Sequence, residues 1–317
     1  MKTLKIRNFF LLVLTALIWG SSFVAQKSGG PTVGAFTFNG VRSFVGGLFL
    51  LCFILLRDGI TRKNTWPKTK DAQRNLWIGG TICGVVLFAA TSLQQIGMNL
   101  GAEAGTAGFL TACYMVIVPI LGLFLKKKCP WTTWVGVAVA AIGLYLLCIQ
   151  GDFTMNYYDA IVLLCAVVFA VHILVIDRYA PLVDGVRMSC IQFLVCGLLS
   201  VVPMFVTDIG FNKASMGTWL HMMGNFDVWI PILYAGIMSC GVAYTLQIVA
   251  QKGMNPTVAS MVLSLESVFS VLSGCLLLGE RMSFRNILGC ILIFTAITFV
   301  QIPVGKSNKE GRRNDGC

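Results

Sequence analysis

The sequence predicts an all-α integral membrane protein with ten transmembrane helices in two inverted five-helix repeats. Three observations support this prediction. The chain of 317 residues is 56% hydrophobic and only 12% charged, with a mean hydropathy of +0.80, whereas about 25% of the residues of a soluble domain are charged. Apolar stretches long enough to cross a bilayer recur along the chain, and the second half repeats features of the first.

Ten apolar segments divide the chain, and most connections between them are short. About 20 helical residues cross the hydrocarbon layer, and a backbone in lipid must satisfy its own hydrogen bonds, so segments of this length are predicted to be helices. The alternating pattern of a β-barrel is absent. We number the segments spans 1–10, and they cover residues 9–26, 34–56, 76–95, 104–125, 131–150, 158–177, 187–206, 228–250, 257–278 and 284–302. Two connections, 57–75 and 207–227, have room for a surface helix or an ordered loop.

Basic residues precede the first apolar run, as they do in secretory signal peptides. We interpret the run as an uncleaved first helix because it is long. Its end, Trp19-Gly20-Ser21-Ser22, also fits the repeat described below.

The lysines and arginines predict that both termini lie in the cytoplasm. With the N-terminus inside, nineteen of the 24 fall in cytoplasmic segments, four in external segments and one, Arg42, within span 2. Cytoplasmic loops carry such an excess of basic residues. The residues after 305 are then a cytoplasmic tail, 306–317. This placement also explains the net charge of +11 without nucleic acid as a partner.

The two halves, 1–152 and 153–305, are predicted to be copies of one five-helix unit. Five is an odd number, so the second copy crosses the bilayer in the opposite sense. Matched positions include Ala107 with Ala259, Tyr114 with Glu266, Gly122 with Gly274, Ser22 with His172 and Arg42 with Gln192. Inverted repeats recur in secondary transporters, where two similar halves move about a central site.

Three stretches make the chain resemble EamA-type transporters of the drug/metabolite transporter superfamily. They are LIWGSSFVAQKSG in span 1, TSLQQIGMNLGAEAGTAGFLTACYMVIVPILGLFL across spans 3 and 4, and LSLESVFSVLSGCLLLGERMSFRNILGCILIFTAI across spans 9 and 10. The resemblance covers roughly residues 8–302 and implies ten helices around a central cavity, moving metabolites, amino acids or drugs. The chain departs from the family at Ser267, where proline often follows the glutamate. It departs again at Lys126-Lys127-Lys128, the counterpart of Leu278-Gly279-Glu280.

Glu266 is the only ionisable residue between Thr257 and Leu278. A charged carboxylate near the centre of a membrane helix costs about 2.5–3.5 kcal/mol on insertion scales. We therefore expect Glu266 to face a cavity, a partner or the bundle interior. Either it lines the cavity and exchanges a proton for substrate, or it is a structural acid that ties span 9 to a neighbour. Ser270 and Ser273 extend its polar face.

Helical spacing also predicts polar faces on spans 8 and 1. Span 8 carries Cys240, Tyr244, Gln247 and Gln251 on one face, and we favour cavity lining over interhelical packing for them. Span 1 carries Thr15, Trp19, Ser22 and Gln26. For Trp19, stacking on the substrate and anchoring at the membrane interface remain equal alternatives.

Arg42 and His172 each have two interpretations. Arg42 lies near the outer end of span 2, so we favour snorkelling to the surface over contact with an anionic substrate group or a carboxylate. His172 lies mid-membrane in span 6, and we favour a structural imidazole over a proton relay. If Glu266 does not couple protons to transport, His172 is the next candidate.

Spans 3 and 4 add Gln94, Gln95 and Tyr114 to the candidate site. Tyr114 should lie across the cavity from Glu266, and Pro119 is expected to kink span 4. Spans 5 and 10 carry small residues at helical spacing, and we favour a scaffold over a dimer surface for both. The expected oligomeric state is a monomer or a homodimer.

Together these features predict a secondary transporter in the cytoplasmic membrane. It would move an amino acid, a related organic solute or a drug-like cation by alternating access around a cavity lined by spans 1, 3, 4, 6, 8 and 9. The sequence contains no phosphate-binding loop, which points to an ion or substrate gradient as the energy source. Protons are a candidate coupling ion, through Glu266 or His172. The expected partners are the substrate and the lipid bilayer.

Two other functions were weighed. A polytopic enzyme acting on lipid-linked substrates would need carboxylates or histidines clustered at one membrane face, and a passive channel would need matched polar rings. The sequence contains no catalytic motif, so we predict neither an enzyme nor a cofactor or metal. Most of the 12 cysteines lie in apolar runs and are expected to act as buried small hydrophobes.

Overall fold

The computed structural model describes residues 2–62, 66–127, 129–149, 155–278 and 282–301, and all regular structure in these ranges is helical. The helices are α1 (Lys2–Val33), α2 (Ala35–Thr61), α3 (Lys70–Leu100), α4 (Ala104–Ala112), α5 (Tyr114–Phe124), α6 (Trp131–Cys148), α7 (Tyr157–Tyr179), α8 (Gly185–Pro203), α9 (Lys213–Met223), α10 (Phe226–Leu233), α11 (Tyr244–Gln251), α12 (Pro256–Leu263), α13 (Leu265–Leu278) and α14 (Phe284–Gln301). A 3₁₀ turn, Ala180–Leu182, follows α7. Two π-helical segments, Met204–Ile209 and Tyr234–Ala243, follow α8 and α10. Lys128, Gly279-Glu280 and the predicted tail 306–317 lie outside the described residues.

Helices occupy all ten predicted spans. In the described part of the chain, eight helices are long and apolar enough to cross a membrane, and two shorter apolar helices, Trp131–Leu147 and Phe284–Val300, correspond to spans 5 and 10. The long 207–227 connection contains α9, which has no buried residue and forms the surface helix for which the sequence left room.

Spans 4 and 9 form the apolar helices Ala104–Phe124 and Pro256–Leu276, and each has a one-residue interruption of its α-helical hydrogen bonding. Span 9 breaks at Ser264, between α12 and α13, and span 4 breaks at Cys113, between α4 and α5. The Ser264 hydroxyl bonds the Met261 carbonyl at 2.7 Å, and such local bonds compete with the helical pattern. The break in span 4 precedes Pro119, which lies inside α5.

The exterior of the bundle is apolar and its interior is partly polar. Large exposed side chains include Leu55, Leu198 and Leu276, whereas Gln95, His172 and Gln192 are completely buried. A water-soluble domain has the opposite distribution. This arrangement fits a bundle whose outer face contacts lipid and whose polar groups turn toward one another.

The glycines of spans 5 and 10 pack α6 against α14. A Cβ atom on Gly143 would lie 2.9 Å from the Gly289 carbonyl oxygen, and one on Gly289 would lie 2.6 Å from the Gly143 carbonyl oxygen. Asn286 also donates its side-chain amide to the Leu147 carbonyl. The two small-residue faces therefore meet within one chain, as the scaffold interpretation requires.

The segments predicted to be cytoplasmic meet at one end of the bundle, here called the basic end. Arg57 contacts Asp184 at 3.3 Å, Asp58 pairs with Arg187, and Lys127 pairs with Asp177. The side chain of Asn8, near the start of α1, donates to the Lys252 carbonyl. These contacts place the 57–75, 126–130, 178–186 and 251–256 connections together.

Different contacts tie the opposite end. The Asp208 carboxylate accepts the backbone N–H of Thr37 at 2.6 Å, and Trp219 Nε1 donates to the Thr37 hydroxyl at 3.3 Å. Lys27 donates to the Ala102 carbonyl at 3.1 Å. The bundle thus has two distinct ends, with the candidate site between them.

Candidate functional site

A polar cavity lies in the middle of the bundle. Its lining side chains come from eight of the ten spans: Trp19, Ser22, Phe23, Gln26, Asn39, Arg42, Ser43, Thr91, Gln94, Thr111, Tyr114, Phe169, Phe193, Cys196, Ser239, Cys240, Tyr244 and Glu266. The cavity therefore brings together seven of the predicted site residues, Trp19, Ser22, Arg42, Gln94, Tyr114, Tyr244 and Glu266. His172 and Gln247 do not line it.

Aromatic rings form one wall of the cavity. The Trp19 and Tyr244 rings lie with their centroids 4.5 Å apart, and Phe193 packs edge-on against Tyr244 at 5.3 Å. Trp19 is buried inside the bundle, so the alternative of an interfacial anchor is wrong. Within the described part of the chain, its indole Nε1–H has no hydrogen-bond partner. This wall offers a flat apolar surface with one donor available.

Arg42 is buried inside the bundle, with 3% of its surface exposed, so the predicted snorkelling to the surface is wrong. Its Nε and Nη2 atoms donate to Asn39 Oδ1 at 3.4 and 3.2 Å, and its guanidinium lies 5.3 Å from the centre of the Phe38 ring. Asn39 is held in turn by a hydrogen bond to Ser92. A neutral amide and a ring therefore position the cation within the cavity wall.

Glu266 lies in the first turn of α13, directly after the break in span 9. The Tyr114 hydroxyl lies beside the Glu266 carboxyl and interacts with it. Oε1 of that carboxyl has no hydrogen-bond partner among the described residues. Tyr114 begins α5 after the break in span 4. The two aligned residues thus occupy equivalent positions on two broken helices that meet at the cavity.

Gly20 brings α1 against α13 beside the cavity. A Cβ atom at this position would lie 2.6 Å from the Glu266 carbonyl oxygen and 2.7 Å from the Ser270 backbone nitrogen. Only a residue without a side chain permits this approach. Gly20 therefore fixes the distance between Trp19 on one helix and Glu266 on the other.

Gln94 and Gln95 have different surroundings. Gln94 lines the cavity and donates to the Thr111 hydroxyl at 3.0 Å. Gln95 does not line it and donates to the Gln26 carbonyl and to Asn99. These contacts tie α3 to α1 and α4.

His172 and the two glutamines of α11 lie behind the cavity, although sequence spacing predicted that Gln247 would line it. His172 contacts Gln192 through Nε2 at 3.2 Å, and its Nδ1 has no partner. Gln247 is buried with its Oε1 unpaired, and Gln251 is buried with both amide atoms unpaired. Unsatisfied buried polar groups are costly, so the two glutamines and His172 need a further explanation.

Spans 2 and 7 also line the cavity, which the sequence did not predict. Span 2 supplies Asn39, Arg42 and Ser43, and span 7 supplies Phe193 and Cys196. In span 2, the helical spacing that puts Asn39, Arg42 and Ser43 on one face was the sequence feature that could have indicated cavity lining. Span 7 gave a weaker signal, because its contributing residues are apolar or small.

The sequence matches the EamA-like transporter family twice, over residues 7–149 and 156–302. The chain belongs to the EamA-like transporter family. Among the described residues of this EamA chain, no group of three or more His, Cys, Asp or Glu side chains could hold a metal ion.

Several curated EamA relatives align over nearly the whole chain. An uncharacterised transporter of Archaeoglobus fulgidus is 29% identical over 92% of this chain and 85% of its own length. The uncharacterised inner membrane transporter YedA of Escherichia coli (strain K12) is 20% identical, over 93% of this chain and 90% of its own. The uncharacterised transporter YoaV of Bacillus subtilis (strain 168) is 23% identical, over 90% and 94%. These names point to transport across a membrane.

A solved crystal structure has the same fold. It superposes with a TM-score of 0.71 at 16% sequence identity and covers 93% of this chain and 96% of its own. At this identity the match establishes the fold alone. Together with the apolar helices, the family assignment identifies an integral membrane protein of a transporter family.

Proposed function

We propose that the protein is a secondary transporter of the cytoplasmic membrane that moves a small organic solute by alternating access. The observation that carries this proposal is the central cavity, where buried Arg42 and Glu266 face the same space. Polar and ionisable groups inside a membrane bundle are expensive, and they mark substrate or ion pathways. In this proposal the ten spans all cross the bilayer as two inverted five-helix repeats, 1–152 and 153–305.

The asymmetry between aligned residues supports alternating access. Ser22 and Arg42 line the cavity, whereas their sequence counterparts His172 and Gln192 are packed against each other behind it. In an inverted-repeat transporter, the two halves exchange such environments when access changes sides. The present conformation is then one of two, and the reverse conformation would open the space around His172.

The direction of the cavity supports the same mechanism. The α1 helix runs from the basic end toward the opposite end, and its cavity residues, Trp19 to Gln26, lie in the half farther from the basic end. Toward the basic end, the unpaired amides of Gln247 and Gln251 lie beyond Tyr244. In the proposed mechanism these amides become wet when the cavity opens to that side, which explains why no protein partner satisfies them here.

Glu266 is the proposed proton carrier. The Tyr114 hydroxyl lies beside it, and Tyr244 lines the same cavity. An ionised carboxylate would have to be carried through the bundle during the conformational change, at a cost that a bound proton removes. Proton loss and gain on opposite sides of the membrane would then link substrate movement to the proton gradient.

The membrane orientation is part of the proposal. The excess of lysine and arginine favours a cytoplasmic location for the basic end. The contacts at that end agree with placing its four connections on the same side of the membrane. Single cysteines at positions 127 and 213 in a cysteine-free background test the orientation. A membrane-impermeant maleimide should label position 213, but not 127, in intact cells. The reverse pattern would invert the topology.

Counterflow in proteoliposomes tests transport directly. Purified protein is reconstituted with a high internal concentration of one unlabelled solute, and uptake of the labelled solute is followed across a panel of acids, amino acids, organic cations and sugars. We expect saturable, transient accumulation of at least one solute. Uptake that follows the concentration gradient without a counterflow overshoot would indicate a channel. Chemical conversion of a lipid-linked compound without exchange would indicate an enzyme.

A further inference from the structure

Arg42 is a buried cation that has no acidic partner among the described residues. Its hydrogen bonds both go to one neutral oxygen, Asn39 Oδ1, and its remaining contact is with the face of Phe38. Nη1 makes no hydrogen bond, and the residue lines the cavity. A buried charge normally pairs with an opposite charge, because desolvation is otherwise uncompensated. Because Arg42 lines the cavity, a bound solute can supply that partner.

Other residues of the lining can donate hydrogen bonds to such a partner. Trp19 and Ser22 line the same cavity, and the Trp19 Nε1–H and the Ser22 hydroxyl have no partner among the described residues. The Tyr114 hydroxyl, also in the lining, lies beside Glu266. An indole can only donate, and hydroxyls can donate or accept. The unpaired acceptors are Gln26 Oε1 and Glu266 Oε1. The cavity therefore presents a fixed positive charge, several available donors and one titratable acid.

The rest of the wall suits an apolar body. Trp19, Tyr244 and Phe193 form the packed aromatic surface described above, and Phe23 and Phe169 complete the lining. Flat rings bury large apolar areas with little loss of rotamer freedom. A solute with one anionic group and a compact apolar part would match both features of the cavity.

We propose that the cavity binds a small organic acid, with the solute carboxylate held by Arg42 and its apolar part against the Trp19–Tyr244 wall. This deepens the proposed function by naming the class of solute. An organic cation is disfavoured because it would share the cavity with the Arg42 guanidinium, which forms no ion pair with a carboxylate of the described residues. A planar carboxylate matches the fork of a guanidinium, which can donate two parallel hydrogen bonds to it.

Two classes of solute carry such a carboxylate, simple monocarboxylates and α-amino acids, and Glu266 would play a different role with each. In a simple monocarboxylate, a protonated Glu266 would face the apolar part or donate to the acid. In an α-amino acid, an ionised Glu266 would accept from the ammonium group. Both solutes share the contact with Arg42, so the proposal concerns that contact, and comparing the two solutes assigns the role of Glu266.

The test compares each acid with its own uncharged amide. Purified full-length protein in lipid nanodiscs is titrated with phenylacetate, octanoate, leucine and succinate, each beside the corresponding primary amide, and with tetraphenylphosphonium and glucose as other classes. Binding is measured by thermal shift and by isothermal titration. We expect at least one acid to bind about 10- to 100-fold more tightly than its amide, the range of a charge-assisted hydrogen bond. Equal binding of acids and amides, binding restricted to the cation or the sugar, or no binding by any acid would overturn the proposal.

Variants assign the contact to Arg42. Arg42→Gln should remove the difference between acid and amide, and Arg42→Lys should retain part of it through charge without the planar fork. Arg57→Gln is the matched control, because it removes an arginine paired with Asp184 at the basic end, away from the cavity. An unchanged preference for the acid in Arg42→Gln would refute the assignment. If Arg42→Gln does not fold, a full parental preference in Arg42→Lys would weigh against a bidentate contact.

Counterflow separates this proposal from the proposed function. Acids that bind in an Arg42-dependent manner but show no counterflow would leave the binding site standing and reject transport. Counterflow of a cation or sugar alone would leave transport standing and reject the acid site.

Discussion

Replacing Gly20 by alanine should disturb the candidate site by separating α1 from α13. The added Cβ atom would meet the Glu266 carbonyl oxygen and Phe269 Cβ at 2.6 Å and the Ser270 nitrogen at 2.7 Å. Two of these atoms belong to the backbone of α13 and the third is a Cβ, so none can turn aside as the end of a flexible side chain can.

The size of the effect follows from those distances. Non-bonded heavy atoms are most stable at about 3.5–4.0 Å, so the two helices must move apart by about 1 Å. Overpacking of this kind costs about 1–3 kcal/mol. Alanine is favoured over glycine in a helix by about 0.8–1 kcal/mol, which offsets part of that cost. The expected net loss of stability is about 1 kcal/mol, and the main effect falls on the site, because Glu266 moves relative to Trp19.

Thermal unfolding followed by size-exclusion fluorescence measures stability, and proteoliposome counterflow measures function. We expect a lowered melting temperature and a loss of counterflow of about tenfold or more, since a displacement of about 1 Å disrupts a preorganised site. Gly105→Ala is the control: Gly105 lies in α4, and its added Cβ atom would meet nothing within 4 Å. That variant should be as stable as the parent and as active.

Parental stability and counterflow in Gly20→Ala would refute the reasoning, because they would mean that α1 does not approach α13 this closely at Glu266. Equal damage in Gly20→Ala and Gly105→Ala would show instead a general sensitivity to alanine in these spans.

Three further predictions follow from the same structure. Glu266→Gln should still exchange substrate but should lose accumulation driven by a pH gradient, and its exchange should depend less on pH; concentrative uptake equal to that of the parent would make Glu266 structural and His172 the next residue to test. Gln247→Leu should fold as well as the parent, since it removes an unpaired buried amide, but should transport less, whereas Ile248→Leu, one residue away, should retain transport; equal damage at both positions in counterflow assays would identify packing. Gly143→Leu should strongly reduce the yield of folded protein in size-exclusion profiles, because its side chain would collide with the Gly289 carbonyl and Leu292; a normal yield would argue against close packing of α6 and α14.

Helical periodicity predicted much of the site. The residues Thr15, Trp19, Ser22 and Gln26 were placed on one face of span 1, and all four are buried toward the bundle interior. This works because the helix has a fixed repeat, so side chains three and four positions apart share a face. The alignment of the two halves, rather than periodicity, predicted that Tyr114 and Glu266 lie near one another.

Tertiary contacts decided what periodicity could not. The interruptions at Cys113 and Ser264 contain neither proline nor glycine, so the local sequence does not reveal them. A contact between the two spans lies beside them: the Ser267 hydroxyl of span 9 donates to the Gly108 carbonyl of span 4. The burial of Arg42 depends on Asn39 and Phe38, whereas its position along span 2 suggested the surface.

The π-helical segment Tyr234–Ala243 also escaped prediction. A π-helix changes the number of residues per turn, so a face drawn at α-helical spacing does not continue through it. The predicted span 8 face divides along its length: Cys240 and Tyr244 line the cavity, and Gln247 and Gln251, which follow Tyr244 along α11 toward the basic end, do not.

The close packing of α6 on α14 has a consequence for biosynthesis. Asn286 and Leu147 are bonded across 139 residues, so the glycine face of span 5 meets its partner only after almost the entire chain has been synthesised. Until then, the first five helices would sit in the bilayer with that face turned to lipid. The packing of the span 5 glycine face is therefore completed only when α14 is in place.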